Sequence, residues 1–202
     1  MPSTTRIAVL GLYNSGSTAL AGALHRLGVD LGAPFWFNSD DNSPRNFYEP
    51  WDLGCLLRYW WNEPAIREMT DRATRIACLT NWIRLREGVH QGAAGAKHPL
   101  LCLGGDDLVE AWGTQTLFLR AYRPLGESIE RLRVRRWFAG HEDRLQLSLW
   151  DAAENFCTRQ SHLRVEYHRL KHEPAAVLGE VVAYTRLTPT AEQMAAAVAF
   201  ID

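Results

Sequence analysis

The sequence predicts an α/β fold of three layers (α/β/α), in which helices cover both faces of a central parallel β-sheet. The first observation is an apolar strand, Ile7–Leu10, that breaks into a glycine-bracketed loop and opens directly into a helix. The second is the alternation of short apolar strands with longer helices along the chain. With 202 residues, 47% of them hydrophobic, the chain can bury a substantial core, and we expect one domain spanning 1–202.

The elements of the first half follow from the spacing of the apolar residues. The first helix carries small apolar residues at three- and four-residue spacing between Ala19 and Leu27. Prolines and short polar residues make 33–46 loop-like, which predicts a mobile lid. The next stretch, 51–87, is expected to be helical, with Pro64 marking a break or a new helix start.

The second half repeats the pattern of strands and helices. The predicted elements are a strand segment over 94–98, a helix over 100–112, a strand over 114–121, a helix opening at Pro124, a helix over 142–159, a strand over 162–167, and helices over 174–184 and 190–200. Ligands of parallel sheets bind beyond the carboxyl ends of the strands. We therefore expect the strand ends at Gly11, Lys97 and Tyr122 to share one crevice.

The loop between Gly11 and Gly16 has the composition of an anion-binding site. Glycines let backbone N–H groups converge, and the N-terminus of the following helix adds its positive dipole. Ser17 and Thr18 add hydroxyl donors. The glycine spacing matches that of the nucleotide-triphosphate loop, but Ser17 stands where that loop requires lysine, which disfavours a kinase or an ATPase. The alternative is a strand–turn–helix junction that binds no ligand.

The stretch Gly11–Gly32 resembles the 5′-phosphosulfate loop and first helix of the sulfotransferase family. The resemblance implies a P-loop-like fold and direct in-line transfer of a sulfuryl group from 3′-phosphoadenosine 5′-phosphosulfate (PAPS) to a hydroxyl or amine, without a metal. It implies that the donor is held by the loop residues Tyr13, Asn14, Ser15, Gly16, Ser17 and Thr18. The family usually has arginine or lysine at the place of Asn14, so either another cation, such as Arg45, supplies this charge or the donor binds less tightly.

A second segment, Thr116–Ser128, resembles the strand, loop and helix with which the family binds the 3′-phosphate of the donor. An arginine pairs bidentately with phosphate oxygens, and a serine at the mouth of the helix adds a hydroxyl. Arg123 with Ser128 is the first assignment, because Arg123 precedes proline as in the family. Arg120 is the alternate, because it keeps the family's eight-residue separation from Ser128. The alternative is a solvated helix start in an arginine-rich region.

The stretch 40–50 resembles the acidic acceptor-site segment of bacterial sulfotransferases. The resemblance implies that Glu49 is the general base that takes the proton of the acceptor. Competing candidates are Asp40, Asp41 and His98. A carboxylate that merely stabilises the start of the following helix is an equally consistent interpretation of Glu49.

The segment Gly95–Pro99 resembles a strand end of the family that carries a catalytic lysine. Lys97 would neutralise the bridging oxygen of the leaving phosphate, and His98 stands where the family usually has aspartate. The alternative for Lys97 is an exposed lysine in a turn.

The composition limits the remaining classes of function. A net charge of −1 gives no global attraction to nucleic acid, so we expect a small-molecule or carbohydrate acceptor as the partner. No apolar run approaches the roughly 18 residues of a membrane span and no signal sequence is visible, which predicts a cytoplasmic protein. The four cysteines and seven histidines lack metal-binding spacings, so no metal site is expected. The competing functions are a small-molecule or nucleotide kinase and a non-catalytic nucleotide-binding protein of the same fold.

Overall fold

The computed structural model describes residues 4–38, 45–89 and 92–201. Its centre is a four-stranded parallel sheet with the strand order β4-β1-β5-β6, and β2 pairs with β3 in a separate antiparallel hairpin. The strands are β1 (Thr5–Leu10), β2 (Phe35–Asn38), β3 (Arg45–Pro50), β4 (Ala93–Lys97), β5 (Leu117–Tyr122) and β6 (His162–Glu166). The predicted α/β class with a central parallel sheet is confirmed.

Helices connect the strands and cover the sheet. They are α1 (Ser17–Arg26), α2 (Trp51–Trp61), α3 (Arg72–Val89), α4 (Gly105–Trp112), α5 (Leu125–Val134), α6 (Glu142–Cys157), α7 (Tyr167–His172), α8 (Pro174–Thr185) and α9 (Ala191–Ile201), with a 3₁₀ helix over Pro99–Gly104 before α4. None of the helices within the described ranges is long and apolar enough to cross a membrane.

The side chains of β1 divide the core into two halves, because successive residues of a strand point to opposite faces of the sheet. Ile7 and Val9 pack against the helices α1, α7, α8 and α9. Ala8 and Leu10 pack against α2 to α6 on the other face. The molecule therefore has the three layers that the sequence predicts.

The prediction of a loop over 33–46 was wrong at both of its ends. Phe35–Asn38 and Arg45–Pro50 pair as the two strands of the hairpin. The pairing was not evident from the sequence, because a polar segment separates Phe35 and Phe37 from their partners in β3. Asp40 and Asp41, two of the competing candidates for the base, lie outside the described residues.

Strand β4 approaches β1 closely at Gly95, which is paired with Ile7. A Cβ atom at Gly95 would lie 2.1 Å from the carbonyl oxygen of Ile7. We expect Gly95→Ala to lower the free energy of unfolding by about 1–3 kcal/mol, because the two strands would have to separate. In urea unfolding, the control Gly179→Ala, where the space is open and the residue is helical, should instead be neutral or stabilise by about 0.5–1 kcal/mol. Equal midpoints for the two variants would contradict the close approach.

Candidate active site

A cavity of about 550 Å³, here called the cationic cavity, lies at the carboxyl edge of the sheet. A residue at or just after the end of each strand lines it: Asn14 after β1, Lys97 at the end of β4, Arg123 after β5 and Tyr167 after β6. The crevice expected from the strand ends is therefore present, and the carboxyl ends of all four strands of the parallel sheet contribute to it.

The loop between β1 and α1 forms one wall of the cationic cavity. Gly16 has a φ of +91°, and a Cβ atom there would lie 2.3 Å from Cδ2 of Tyr167, so both the conformation and the space require glycine. Asn14 also has a positive φ of 59°. The first turn of α1 holds no acidic residue, and among the described residues no side chain caps it. Its first amide groups have no acceptor within the helix, so they are available to an anion.

Two buried donors on this wall have no hydrogen-bond partner among the described residues. They are Nδ2 of Asn14 and Nε of Arg123, and both residues line the cationic cavity. An unsatisfied buried donor costs about 1–3 kcal/mol. An anion in the cavity would accept from both donors and remove this cost.

Arg123 rests directly on the loop. Its Nη1 donates a hydrogen bond of 2.6 Å to the backbone carbonyl of Asn14, and its guanidinium lies 3.7 Å from the centre of the Tyr167 ring. Arg123, which follows β5, therefore places a positive charge beside Asn14. The side chain of Arg45, the other candidate for this charge, lies outside the described side chains.

Further cations line the same cavity and were missed by the sequence reasoning. They are Arg131, Arg135 and Lys171. Partial burial, and then the positive charge of Arg131, lower the pKa of Arg123 from its ordinary value. The two guanidinium groups therefore repel each other across the cavity, and an anion between them would relieve the repulsion.

The structure separates the sequence-predicted phosphate residues into two groups. Arg123 lines the cationic cavity, whereas Arg120, Ser128 and Ser15 are buried outside its lining. Arg120 donates a hydrogen bond of 2.8 Å to Glu154 on α6. The eight-residue separation between an arginine and a serine holds for Arg120 and Ser128, neither of which lines the cavity.

Lys97 and Glu49 form a buried ion pair at the floor of the cavity. The distance from Nζ of Lys97 to Oε1 of Glu49 is 2.6 Å, and the two side chains are only 2% and 7% exposed. Nζ also donates to Oγ1 of Thr18 at 3.1 Å and to the carbonyl of Phe47 at 3.2 Å. The pair therefore joins β4, the hairpin and the first turn of α1.

The ion pair determines the protonation state of Glu49. Burial raises the pKa of this carboxyl, but the nearby cations, with Lys97 the strongest, outweigh burial and lower the pKa below its ordinary value. Glu49 is therefore a carboxylate at neutral pH and can accept a proton. The same pairing makes it a weak base, because Lys97 stabilises the charged form.

His98 lies behind the ion pair and does not line the cavity. Its Nδ1 accepts a hydrogen bond of 3.1 Å from the amide of Leu100, so the hydrogen of the neutral ring is on Nε2, 3.7 Å from Oε2 of Glu49. Burial lowers the pKa of His98 to about 3. The ring is therefore uncharged near neutral pH and adds no positive charge beside Glu49.

A second cavity of about 200 Å³ adjoins the first. Tyr13, Phe47, Glu49 and Trp137 line both cavities. The residues that line only the second cavity are Trp36, Arg58 and Phe138. Glu49 consequently lies between a cationic space and an aromatic one.

No protein-family model and no curated protein matches the sequence. Solved structures do match. Sulfotransferase STF9 from Mycobacterium avium has a TM-score of 0.68 at 11% identity and is matched over 100% of this chain and 68% of its own. The sulfotransferase domain of the Synechococcus PCC 7002 olefin synthase has a TM-score of 0.56 at 18% identity, over 96% of this chain and 78% of its own. The chain has the sulfotransferase fold.

A kinase shares the same architecture. A sugar kinase from Janibacter sp. HTCC2649 has a TM-score of 0.54 at 16% identity and is matched over 93% of this chain and 97% of its own. The sulfotransferase fold therefore does not by itself separate sulfuryl transfer from phosphoryl transfer. The residues of the cavity must make that distinction.

The buried neutral His98 predicts an acid-sensitive fold. Between the ordinary pKa of 6.5 and the folded value of about 3, the unfolded chain binds a proton that the folded chain does not, so stability falls as the pH falls. His98→Asn keeps an acceptor for the amide of Leu100 but does not titrate. From pH 6.5 to 4.5, we expect the wild type to lose about 2 kcal/mol more unfolding free energy than this variant.

Urea unfolding at both pH values measures this difference. The wild type and the variant share Glu49, whose pKa lies below its ordinary value of 4.5, so its titration contributes to both proteins. The control is His172→Asn at an exposed position, which should keep the pH dependence of the wild type. The same pH dependence in the wild type and in His98→Asn would contradict the assignment.

Proposed function

We propose that the chain is a sulfotransferase that moves a sulfuryl group from PAPS to a hydroxyl or amine of a small-molecule or carbohydrate acceptor. The observation that carries the proposal is the charge of the cationic cavity. Among the described residues that line it, one carboxylate, Glu49, faces five cations: Lys97, Arg123, Arg131, Arg135 and Lys171. A donor with two separate anionic groups suits this distribution, because each group forms charge-assisted hydrogen bonds.

The unpaired donors of the cavity support two anion subsites. The first amides of α1 and Nδ2 of Asn14 suit the 5′-phosphosulfate, with positive charge added by Arg123 through its contact with the loop. Arg131, which also lines the cavity, suits the 3′-phosphate, with Arg123 as a neighbouring cation. Ser128 is buried outside the cavity lining, so Arg131 takes the role that the sequence assigned to Ser128.

Glu49 and Lys97 divide the chemistry between them. In the reaction, the acceptor oxygen forms a bond to sulfur, the bond from sulfur to the bridging oxygen breaks, and 3′-phosphoadenosine 5′-phosphate leaves with that electron pair. Glu49 takes the proton of the acceptor. Lys97 stands between Glu49 and Thr18 of the loop, so its charge can stabilise the bridging oxygen.

Two alternative functions would use the residues of the same cavity differently. The structural likeness to a sugar kinase favours phosphoryl transfer, but Ser17 stands where the nucleotide-triphosphate loop has its lysine. A non-catalytic nucleotide-binding protein would use the cations without needing the pair Lys97–Glu49. Donor binding and turnover, measured separately, distinguish the three functions.

Calorimetric titration tests donor binding. We expect metal-free protein to bind 3′-phosphoadenosine 5′-phosphate in preference to ATP with Mg²⁺. Arg123→Gln should weaken that binding about 10- to 100-fold, because a hydrogen bond to a charged group contributes about 1.5–3 kcal/mol. The control Arg164→Gln, at a half-exposed arginine outside the cavity, should bind like the wild type. Preference for ATP with Mg²⁺, or binding of neither ligand, would contradict the proposal.

The role of Glu49 is tested by Glu49→Gln. This variant keeps the shape of the side chain but cannot take a proton, so we expect kcat to fall about 10²- to 10⁴-fold. The affinity for 3′-phosphoadenosine 5′-phosphate should not fall, because the cavity loses a negative charge. Product formation from PAPS and calorimetry give the two values. Glu180→Gln, on the surface of α8, serves as the control. An equal loss of affinity and turnover would make Glu49 a structural residue.

A further inference from the structure

The second cavity adjoins Glu49 and has no ligand in the function proposed above. We propose that this aromatic pocket, lined by Tyr13, Trp36, Phe47, Arg58, Trp137 and Phe138 with Glu49 at its junction with the cationic cavity, binds the acceptor and selects phenols with a single planar ring. This inference rests on the proposed function, because it uses Glu49 as the base.

The position of Glu49 connects the two ligands. Glu49 lines both cavities, together with Tyr13, Phe47 and Trp137. A hydroxyl in the aromatic pocket can therefore reach the same carboxylate that is 2.6 Å from Lys97 on the donor side. Glu49 would take the phenol proton as the phenol oxygen bonds to sulfur and the bond to the bridging oxygen of PAPS breaks.

The walls of the aromatic pocket are rings that hold one another in place. Tyr13 and Phe138 lie with their centres 5.1 Å apart, and Phe47 and Trp137 with theirs 5.7 Å apart at an angle of 77°. Such tilted and edge-to-face pairs are favourable geometries for aromatic rings. The pocket is therefore lined by preorganised aromatic surface, which favours another flat ring.

Trp36 is held in place by two contacts. Its indole stacks on Trp51 at 4.2 Å and 11°, and the guanidinium of Arg58 lies 4.2 Å from its centre. Trp36 therefore adds a further fixed ring to the lining of the pocket.

The volume and the polar groups limit the size and the class of the acceptor. An apolar cavity of about 150 Å³ can hold benzene, so about 200 Å³ suits one ring with small substituents. A sugar would need several polar partners, but the charged groups of this pocket are Glu49 and Arg58, and Arg58 is already paired with Glu63 at 3.0 Å. The size and polarity favour a phenol over a carbohydrate.

The low basicity of Glu49 favours an acceptor with an acidic hydroxyl. Lys97 keeps the pKa of Glu49 below its ordinary value, which makes the carboxylate a weak base. A phenolic hydroxyl has a pKa near 10, whereas water has one near 15.7, a value similar to that of an alkyl alcohol. A weak base takes a proton more readily from the more acidic phenol.

Binding and turnover should be measured with matched acceptors. We would titrate the complex with 3′-phosphoadenosine 5′-phosphate with phenol or cyclohexanol by calorimetry. The two compounds have the same number of carbons, but the ring of phenol is planar and that of cyclohexanol is puckered. No sulfuryl group is transferred in this complex, so a difference in reaction rate cannot affect the measured affinities. We expect phenol to bind about tenfold more tightly. With PAPS as donor, phenol should give product, and the disaccharide trehalose should not.

Two ring variants test whether the pocket is where the phenol binds. Phe138→Leu and Phe47→Leu should each raise the KM for phenol about tenfold, because each removes aromatic contact. The affinity for 3′-phosphoadenosine 5′-phosphate should be unchanged in Phe138→Leu, because this ring lines only the second cavity. Phe37→Leu, at an exposed ring outside both cavities, is the matched control. Circular dichroism shows whether each variant folds. If one variant does not fold, the KM of the other variant tests the pocket.

The outcomes separate this inference from the function on which it rests. If 3′-phosphoadenosine 5′-phosphate does not bind, the proposed function fails. If it binds but cyclohexanol or trehalose is preferred to phenol, or if both folded ring variants keep the wild-type KM, the function stands and the phenol assignment is overturned. The assignment is supported if the wild type prefers phenol, the ring variants have a higher KM for phenol, and Phe37→Leu keeps the wild-type KM.

Discussion

The buried ion pair between Lys97 and Glu49 is the interaction on which the candidate site depends. Removing two charges from water is costly, and their attraction offsets the cost only where further hydrogen bonds satisfy the remaining groups. Lys97 has three N–H donors, and Glu49, Thr18 and the carbonyl of Phe47 accept from them. Through these contacts, the pair joins the hairpin to β4 and to the first turn of α1, so Glu49, Lys97 and the first amides of α1 lie together.

The positive charge of the cavity comes from several elements rather than from the loop alone. Asn14 leaves the loop without the cation that the resemblance leads one to expect, and Arg123 reaches the same place from the end of β5. For a bound anion, the distance to a cation matters and the origin of that cation in the chain does not. Hence the neutral residue at position 14 does not leave this wall of the cavity uncharged. Arg131 on α5 and Arg135 just after it extend the charge further.

The sequence predicted the sheet, its flanking helices and the loop, because each depends on local patterns of apolar residues and glycines. It predicted Lys97, Glu49 and Arg123 as site residues only by resemblance, and the structure brings these three to one cavity. It did not predict the hairpin, nor that Trp36 and Phe138 line one pocket. Trp36 and Phe138 are distant in the chain, and no local pattern reveals that rings from a hairpin and from the turn after α5 line one pocket.

The ion pair also affects which acceptors Glu49 can deprotonate. A carboxylate stabilised by Lys97 is preorganised to stay ionised in a buried site, where a carboxyl without this partner would be protonated more readily. That stabilisation weakens Glu49 as a base, so the arrangement favours an acceptor that gives up its proton easily. The aromatic pocket on the other side of Glu49 favours the same class of compound through its shape. Electrostatics on one side and packing on the other therefore select for a phenol at one carboxylate.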